Sequence, residues 1–149
     1  MTETTKDLAA AVKKCERLLS ARERSAGELL RRLQTDGFDF ELAQGLVARL
    51  QESGLVDDER FCRLYVQGKR RQGWGMRRIV YELKSYAIDA ESYPELFDGF
   101  TNDDELERAS EALQRYRGRS ADPYAGRYRY LASKGFAPDI ISQTLKANT

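Results

Sequence analysis

The chain has 149 residues, 33% of them charged and 41% hydrophobic, with a formal net charge of +1 and no histidine. This composition indicates a globular protein and excludes a disordered or membrane-spanning chain, and the lack of histidine disfavours a metal site. The two cysteines, Cys15 and Cys62, occupy apolar helical positions and are predicted to be buried, reduced thiols rather than a disulfide framework. The polar first seven residues indicate no secretory signal, so a cytoplasmic protein is expected.

The first part of the chain predicts three helices joined by short connections. Apolar residues at helical spacing indicate a first helix over about residues 6–20. The pattern from Ser25 to Glu28 is a capping box, so it predicts the start of a second helix. Gly37 is placed to end that helix in a left-handed conformation, and a third helix follows and ends near Gly54.

The middle part begins with acidic residues 57–59, which suit the positive end of the dipole of a fourth helix. This helix is predicted to end near Gln72, before the glycine-flanked turn 73–75. A fifth helix is predicted over residues 76–86. A weak sixth helix is predicted over residues 92–99, because Pro94 and Gly99 confine it.

The last part opens with a second acidic block, residues 103–105, that resembles residues 57–59. Its helices are predicted over about 104–117, 123–134 and 138–146. Prolines stand at the first position of the last two helices, where a missing amide hydrogen costs nothing. No stretch has the alternation typical of a strand, so the fold class is predicted to be all-α.

One pattern occurs three times: a helical leucine is followed five residues later by a bulky apolar residue, with Gly or Ala just before it. The copies are Leu33…Gly37-Phe38, Leu83…Ala87-Ile88 and Leu131…Gly135-Phe136, which are 50 and 48 residues apart. This period predicts three tandem three-helix (helix-turn-helix-like) repeats in an elongated, curved array. The predicted modules cover residues 1–54, 55–101 and 102–149, the second with a basic turn.

Charge is segregated along the chain in spite of the small net charge. Residues 63–84 contain seven basic residues and one acidic residue, whereas residues 89–107 contain eight acidic residues and no basic one. The basic segment surrounds a tryptophan, and its candidate binding residues are Lys69, Arg70, Arg71, Trp74, Arg77, Arg78 and Lys84. Because carboxylates are scarce nearby, these cations are expected to repel one another and to meet a nucleic acid or an acidic protein. The amides at the start of the fifth helix add a further expected anion site, and Trp74 either stacks on a base or packs under the turn.

A second candidate surface interleaves tyrosine with arginine, the combination that single-stranded nucleic acids bind. Its candidate residues are Tyr124, Arg127 and Arg129. Tyr128 matches core positions of the other repeats and is predicted to be buried, whereas Tyr130 is predicted to be freer.

No catalytic residue, metal ligand or cofactor is predicted. The chain has no histidine to act as a general base, no glycine-rich phosphate loop and no nucleophile elbow. The two acidic blocks are explained by capping and helix-dipole effects rather than as metal-binding carboxylates of a nuclease.

Several of these segments closely resemble the RecX family of recombinase regulators, over about residues 11–146. The matching segments are Ser25…Glu28-Leu29…Leu33…Gly37-Phe38, the run from Gly54 to Phe61, Gly73-Trp74-Gly75…Arg78-Ile79…Glu82-Leu83, and Tyr130-Leu131…Lys134-Gly135-Phe136. The run Gly-Leu-Val-Asp-Asp-Glu-Arg-Phe is the most specific of them. The chain departs from the family pattern at Met76, where a proline is common, and at Cys62, where alanine is usual.

The resemblance implies a bacterial, non-enzymatic, monomeric regulator of the RecA recombinase. It implies binding along the RecA filament on single-stranded DNA, with double-stranded DNA left open, and no membrane. ATP hydrolysis, strand exchange and co-protease activity would be suppressed, in recombination and the SOS response. Two other functions stay open at this point: a helix-turn-helix DNA-binding transcription regulator and an adaptor that binds RecA without DNA.

Overall fold

The computed structural model describes the backbone of residues 3–148 and the side chains of residues 7–148. Met1 and Thr2, part of the polar segment that argues against a secretory signal, lie outside the described residues, as does Thr149. The described residues form α-helices and 3₁₀ turns without a strand, which confirms the all-α prediction. The α-helices are α1 (Glu3–Ala21), α2 (Ala26–Thr35), α3 (Phe40–Glu52), α4 (Asp58–Arg71), α5 (Met76–Leu83), α6 (Asn102–Gln114), α7 (Pro123–Ser133) and α8 (Pro138–Ala147).

The predicted capping box at the start of α2 is confirmed. Ser25 Oγ accepts a hydrogen bond from the Glu28 amide at 3.1 Å, and the Glu28 carboxylate accepts one from the Ser25 amide at 3.3 Å. Each partner satisfies an amide that the helix itself leaves without an acceptor. Local sequence therefore determines where this helix begins.

The repeated leucine pattern is a helix-ending motif. In the first and third copies the amide of the bulky residue donates to the carbonyl of the leucine five residues earlier, at 3.0 Å and 3.2 Å. The residue before the bulky one has a left-handed backbone in all three copies, with φ of +90° at Gly37, +59° at Ala87 and +100° at Gly135. This is the Schellman arrangement, in which a glycine is favoured and the leucine and the bulky residue pack together.

The structure differs from the prediction in the middle part of the chain. Residues 92–99 do not form an α-helix but two 3₁₀ turns, Ala90–Ser92 and Pro94–Phe97. Pro94 starts the second turn, and Phe97 is buried. A proline start and a glycine soon after it leave too few residues for α-helical hydrogen bonds. Likewise α5 ends at Leu83 and continues only as the 3₁₀ turn Lys84–Tyr86.

The chain forms two compact units. The first comprises the chain up to Cys62 together with Lys84–Ile88, and its core is built on Ala11, Cys15, Leu29, Leu33, Ala43, Leu46, Val47 and Val56. The second comprises Arg63–Leu83 and the chain from Asp89 onward, with a core of Ala109, Ala112, Leu131, Phe136, Ile140, Ile141 and Leu145. Both cysteines are buried as predicted, and burial raises the pKa of Cys15. The division into three modules at residues 54 and 101 stays a prediction.

Within the first unit, the N-terminus of α2 contacts the turn that follows α5; we call this contact the first joint. Ser25 Oγ donates to the carbonyl of Tyr86, and the Ala26 amide donates to Asp58 Oδ1 at 2.8 Å. The helix α2 and this turn approach so closely that a Cβ atom on Gly27 would lie 2.3 Å from the Cβ of Ala87. Only glycine fits at this position.

Within the second unit, the N-terminus of α5 contacts the turn that follows α7; we call this contact the second joint. The Gly75 amide donates to the Lys134 carbonyl at 2.7 Å, and the Arg77 amide donates to the Gly135 carbonyl at 3.0 Å. A Cβ atom on Gly75 would lie 2.4 Å from the Gly135 carbonyl oxygen. Gly27 and Gly75 are 48 residues apart, and so are Ala87 and Gly135. The repeat in the sequence is therefore also a repeat of this contact.

Candidate nucleic-acid interface

The tryptophan of the basic segment stands in the turn that ends α4. Gly73 has a φ of +89°, and the Trp74 amide donates to the Lys69 carbonyl at 3.0 Å. This is the Schellman geometry again, and it brings the Lys69 ammonium to 4.6 Å from the centre of an indole ring. The position of the ring therefore follows from the backbone motif that stops the helix.

Trp74 is half-buried and is held by cations of its own chain. The guanidinium carbon of Arg78 lies 3.7 Å from the ring centre, in addition to the Lys69 contact. The Trp74 carbonyl accepts a hydrogen bond from Arg108. Cation–π attraction of this kind is worth about 0.5–2 kcal/mol. These contacts support packing against the turn more than they support an indole presented to a base.

The amides at the start of α5 do not offer an anion site, contrary to the sequence prediction. Gly75 and Arg77 donate to carbonyls of the turn after α7, and the Met76 amide donates to Glu105 Oε2 at 3.4 Å. The donors that a phosphate needs are already satisfied within the chain. The prediction was wrong because the nearest of these acceptors, Glu105, is 29 residues away in sequence.

The cations of the basic segment fall into two groups. Arg70 forms an ion pair with Asp104, and its guanidinium lies over Phe100, so the expectation that carboxylates are scarce is wrong for this residue. Among the described residues, no carboxylate lies within ion-pair distance of the other four cations between residues 69 and 78: Lys69, Arg71, Arg77 and Arg78. Arg71 and Arg77 are also exposed. Lys84, also exposed, belongs to the first compact unit.

The acidic block 103–105 does more than suit the dipole of α6, which Thr101 caps. Asp104 and Glu105 both pair with Arg108, and the Asp104 contact is 3.0 Å long. Burial raises the pKa of Glu105, although the charge of Arg108 opposes the rise. This block therefore helps to hold the second joint, and the capping explanation of the sequence analysis was incomplete. Within the described residues, no three histidine, cysteine or acidic side chains converge as a metal site would require.

The tyrosine–arginine segment of α7 does not present a single surface. Tyr124 is 54% exposed, whereas Arg127 lines a cavity of about 340 Å³ beside Tyr116. Arg129 donates to Ser120 Oγ at 3.3 Å. Tyr130 is not free, contrary to the prediction, because its ring stacks on Tyr116 with the ring centres 4.9 Å apart.

A groove of about 560 Å³ brings the two candidate segments together within the second unit. It is lined from α5 by Arg77, Arg78 and Tyr81 and from α7 by Tyr128, which also packs against the core. Tyr81 is 69% exposed and was missed in the sequence analysis. The available signal was its spacing, since residues four apart on a helix share a face and Tyr81 follows Arg77 at that distance.

Comparison with known proteins agrees with this architecture. Residues 11–50 match the family model of the first three-helix domain of RecX, and residues 57–92 match that of the second. The structure resembles the crystal structure of RecX from Lactobacillus salivarius with a TM-score of 0.75 and 19% identity, covering 96% of this chain and 97% of that one. The fold is thus that of a helical-repeat protein built from RecX-type three-helix domains.

Full-length relatives make the family plain. The chain is 32% identical to the regulatory protein RecX of Stenotrophomonas maltophilia over 87% of its own length and 81% of the relative. It is 33% identical to the regulatory protein RecX of Herminiimonas arsenicoxydans over 88% and 87%. The chain therefore belongs to the RecX family of regulatory proteins. Over the part of the chain that the structure describes, no helix combines the length and apolar character needed to cross a bilayer.

Proposed function

We propose that this chain is a non-enzymatic inhibitor of RecA that binds along the RecA filament on single-stranded DNA in the bacterial cytoplasm. It would suppress ATP hydrolysis, strand exchange and co-protease activity in recombination and the SOS response. Membership of the RecX family supports a regulatory role. The resemblance of the basic middle segment to that family supports RecA and DNA as the partners.

The observation that carries the DNA contact is the exposure of Arg71 and Arg77 at the two ends of the glycine turn. Neither has an ion-pair partner among the described residues, and both guanidinium groups can bind phosphate oxygens in bidentate fashion. Arg70 and Arg78, in contrast, already contact Asp104 and Trp74. We therefore assign DNA binding to Arg71 and Arg77. To Arg70 and Arg78 we assign a structural role at the second joint.

The transcription-regulator alternative is disfavoured by the middle part of the chain. A helix-turn-helix protein inserts the N-terminal part of a recognition helix into the major groove. In residues 89–100, where that helix would be expected in the middle module, the structure has two 3₁₀ turns of three and four residues. Such turns are too short to present several side chains to a groove.

The test is RecA ATP hydrolysis on single-stranded DNA with substoichiometric amounts of this protein. We expect strong inhibition by the natural sequence and weaker inhibition by the variant Arg71→Ala/Arg77→Ala. The matched control is Arg17→Ala/Arg49→Ala, which removes two exposed charges from α1 and α3. No inhibition at any ratio would refute the proposed function, and equal inhibition by both double variants would refute the assigned residues.

A further inference from the structure

The groove between α5 and α7 combines features that the proposed function has not used. Its lining includes Arg77, Arg78, Tyr81, Glu82 and Tyr128, together with the buried Phe136 and Ile141 and the exposed Pro138. Its volume of about 560 Å³ lies within the roughly 300–1,000 Å³ that small-ligand sites occupy. The groove is therefore large enough for one or two units of a polymer rather than for a whole folded domain.

The side chains on the groove provide both charge and aromatic surface. Arg77 is exposed and has no carboxylate partner among the described residues, whereas Arg78 is fixed over Trp74 and donates to the Ser133 carbonyl at 3.4 Å. Tyr81 exposes 69% of its surface, and Tyr128 is half-buried. A cation beside two accessible rings is the arrangement with which proteins bind single strands, since phosphates pair with the cation and bases stack on the rings.

The groove fits a nucleic acid better than it fits an acidic peptide. Glu82 also lines it, and a carboxylate there repels acidic side chains. Base edges carry N–H donors, which a carboxylate can accept, as it does from the amino group of cytosine. An acidic peptide would satisfy Arg77 but would give the tyrosine rings no flat partner.

We propose that this groove is the subsite where bases of single-stranded DNA stack on Tyr81 and Tyr128 while Arg77 binds the adjoining phosphate. The proposal rests on the proposed function for the identity of the polymer, and it adds where and how the strand is held. It also assigns a binding role to Tyr81, a residue outside the basic cluster.

The test measures DNA binding without RecA, using fluorescent oligothymidylate and an abasic strand of the same length. We expect Tyr81→Ala to weaken oligothymidylate binding about five- to tenfold, the lower end of the range for base–aromatic stacking. Tyr81→Phe keeps the ring and should bind as the natural chain does. The matched control is Phe40→Ala, which removes a ring that is 46% exposed, lies in the first compact unit and does not line the groove.

The abasic strand separates stacking from charge. With no bases to stack, the natural chain and Tyr81→Ala should bind this strand equally, whereas Arg77→Ala should weaken both strands. Unchanged oligothymidylate binding by Tyr81→Ala, or an equal loss on the abasic strand, would overturn the proposal. So would Tyr81-dependent competition by an oligoglutamate peptide. The result is independent of RecA, so failure of the ATPase test would remove the proposed function without deciding the groove.

Discussion

The two joints repeat one contact with different chemistry. In the first joint side chains make the contact, since Ser25 Oγ donates to Tyr86 and the methyl group of Ala87 fills the space opposite Gly27. In the second joint the backbones themselves meet, because Gly75 and Gly135 both lack a Cβ atom. The difference shows that a repeat can keep its geometry while exchanging side-chain hydrogen bonds for backbone ones.

The second joint also differs in the charge at the start of its helix, because the first turn of α2 in the first joint carries the acidic Glu28. Its helix α5 begins with Arg77 and Arg78, and the groove that we assign to DNA lies beside it. Backbone contacts leave the Arg77 side chain available for another partner, whereas Arg78 is held over Trp74. The closer joint is thus the one next to the proposed binding surface.

The largest effect is expected for Gly135→Ala. The new Cβ would lie 2.3 Å from the Arg78 Cβ, and φ is +100°, so overpacking and backbone strain add to a loss of about 4 kcal/mol in the free energy of unfolding. The matched control is Gly37→Ala, at the same repeat position with φ of +90° but nothing within 4 Å of the new Cβ. Strain alone should cost it about 1 kcal/mol. Equal losses in urea unfolding would show that the close contact has no energetic role.

The joints should also differ in whether a second substitution can rescue them. Gly27→Ala and Gly75→Ala should each cost about 2–3 kcal/mol through overpacking. Ala87→Gly should recover most of the Gly27→Ala loss, because it removes the clashing methyl group and relieves a φ of +59°. No side-chain truncation can rescue Gly75→Ala, since the clash is with the Gly135 backbone. A double-mutant cycle of Gly27→Ala and Ala87→Gly measures the coupling between the two substitutions. Additive effects on the free energy of unfolding would contradict the predicted rescue.

A smaller difference is expected between ion pairs of the two compact units. Arg108 is 11% exposed and pairs with Asp104 and Glu105, so Arg108→Ala should cost about 2 kcal/mol by removing the charged hydrogen-bond partner of the buried Glu105. Arg60 pairs with Glu23 in the first unit at 30% exposure, and Arg60→Ala should cost about 0.5–1 kcal/mol. Chemical denaturation measures the loss in the free energy of unfolding for each variant. A larger loss for Arg60→Ala than for Arg108→Ala would contradict the prediction.

The pH dependence of two carboxylates should have opposite signs. Burial raises the pKa of Glu105, so the native state keeps its proton to higher pH and loses stability as the pH rises above the ordinary glutamate range. A hydrogen bond from Lys14 lowers the pKa of Asp36, so its contribution is present above the ordinary aspartate range and is lost as the pH falls. Stability measured against pH for Glu105→Gln and Asp36→Asn, each subtracted from the natural chain, should slope in opposite directions. Parallel slopes would contradict these assignments.

Local signals predicted the helices well. The capping box at Ser25 and the left-handed Gly37 depend on residues within one turn, so the sequence contains all the information that they need. The secondary structure of the short segment after Asp89 was harder to predict, because a proline start alone does not distinguish one turn of 3₁₀ helix from one turn of α-helix.

Contacts between distant residues could not be predicted in this way. The partner of Arg70 is Asp104, which lies 34 residues further on, and the acceptor for the Gly75 amide is the carbonyl of Lys134. Whether a cation is exposed or paired depends on such contacts. Composition therefore located the basic segment but did not separate its binding residues from those that hold the joint.

The most direct test of this separation is the salt dependence of binding to single-stranded DNA. We expect Arg71→Ala/Arg77→Ala to flatten the slope of log K against log salt by about 1.4, since each phosphate contact on a single strand contributes about 0.7. Arg17→Ala/Arg49→Ala should leave the slope unchanged. A slope unaffected by loss of Arg71 and Arg77 would contradict the claim that these exposed cations bind the phosphates.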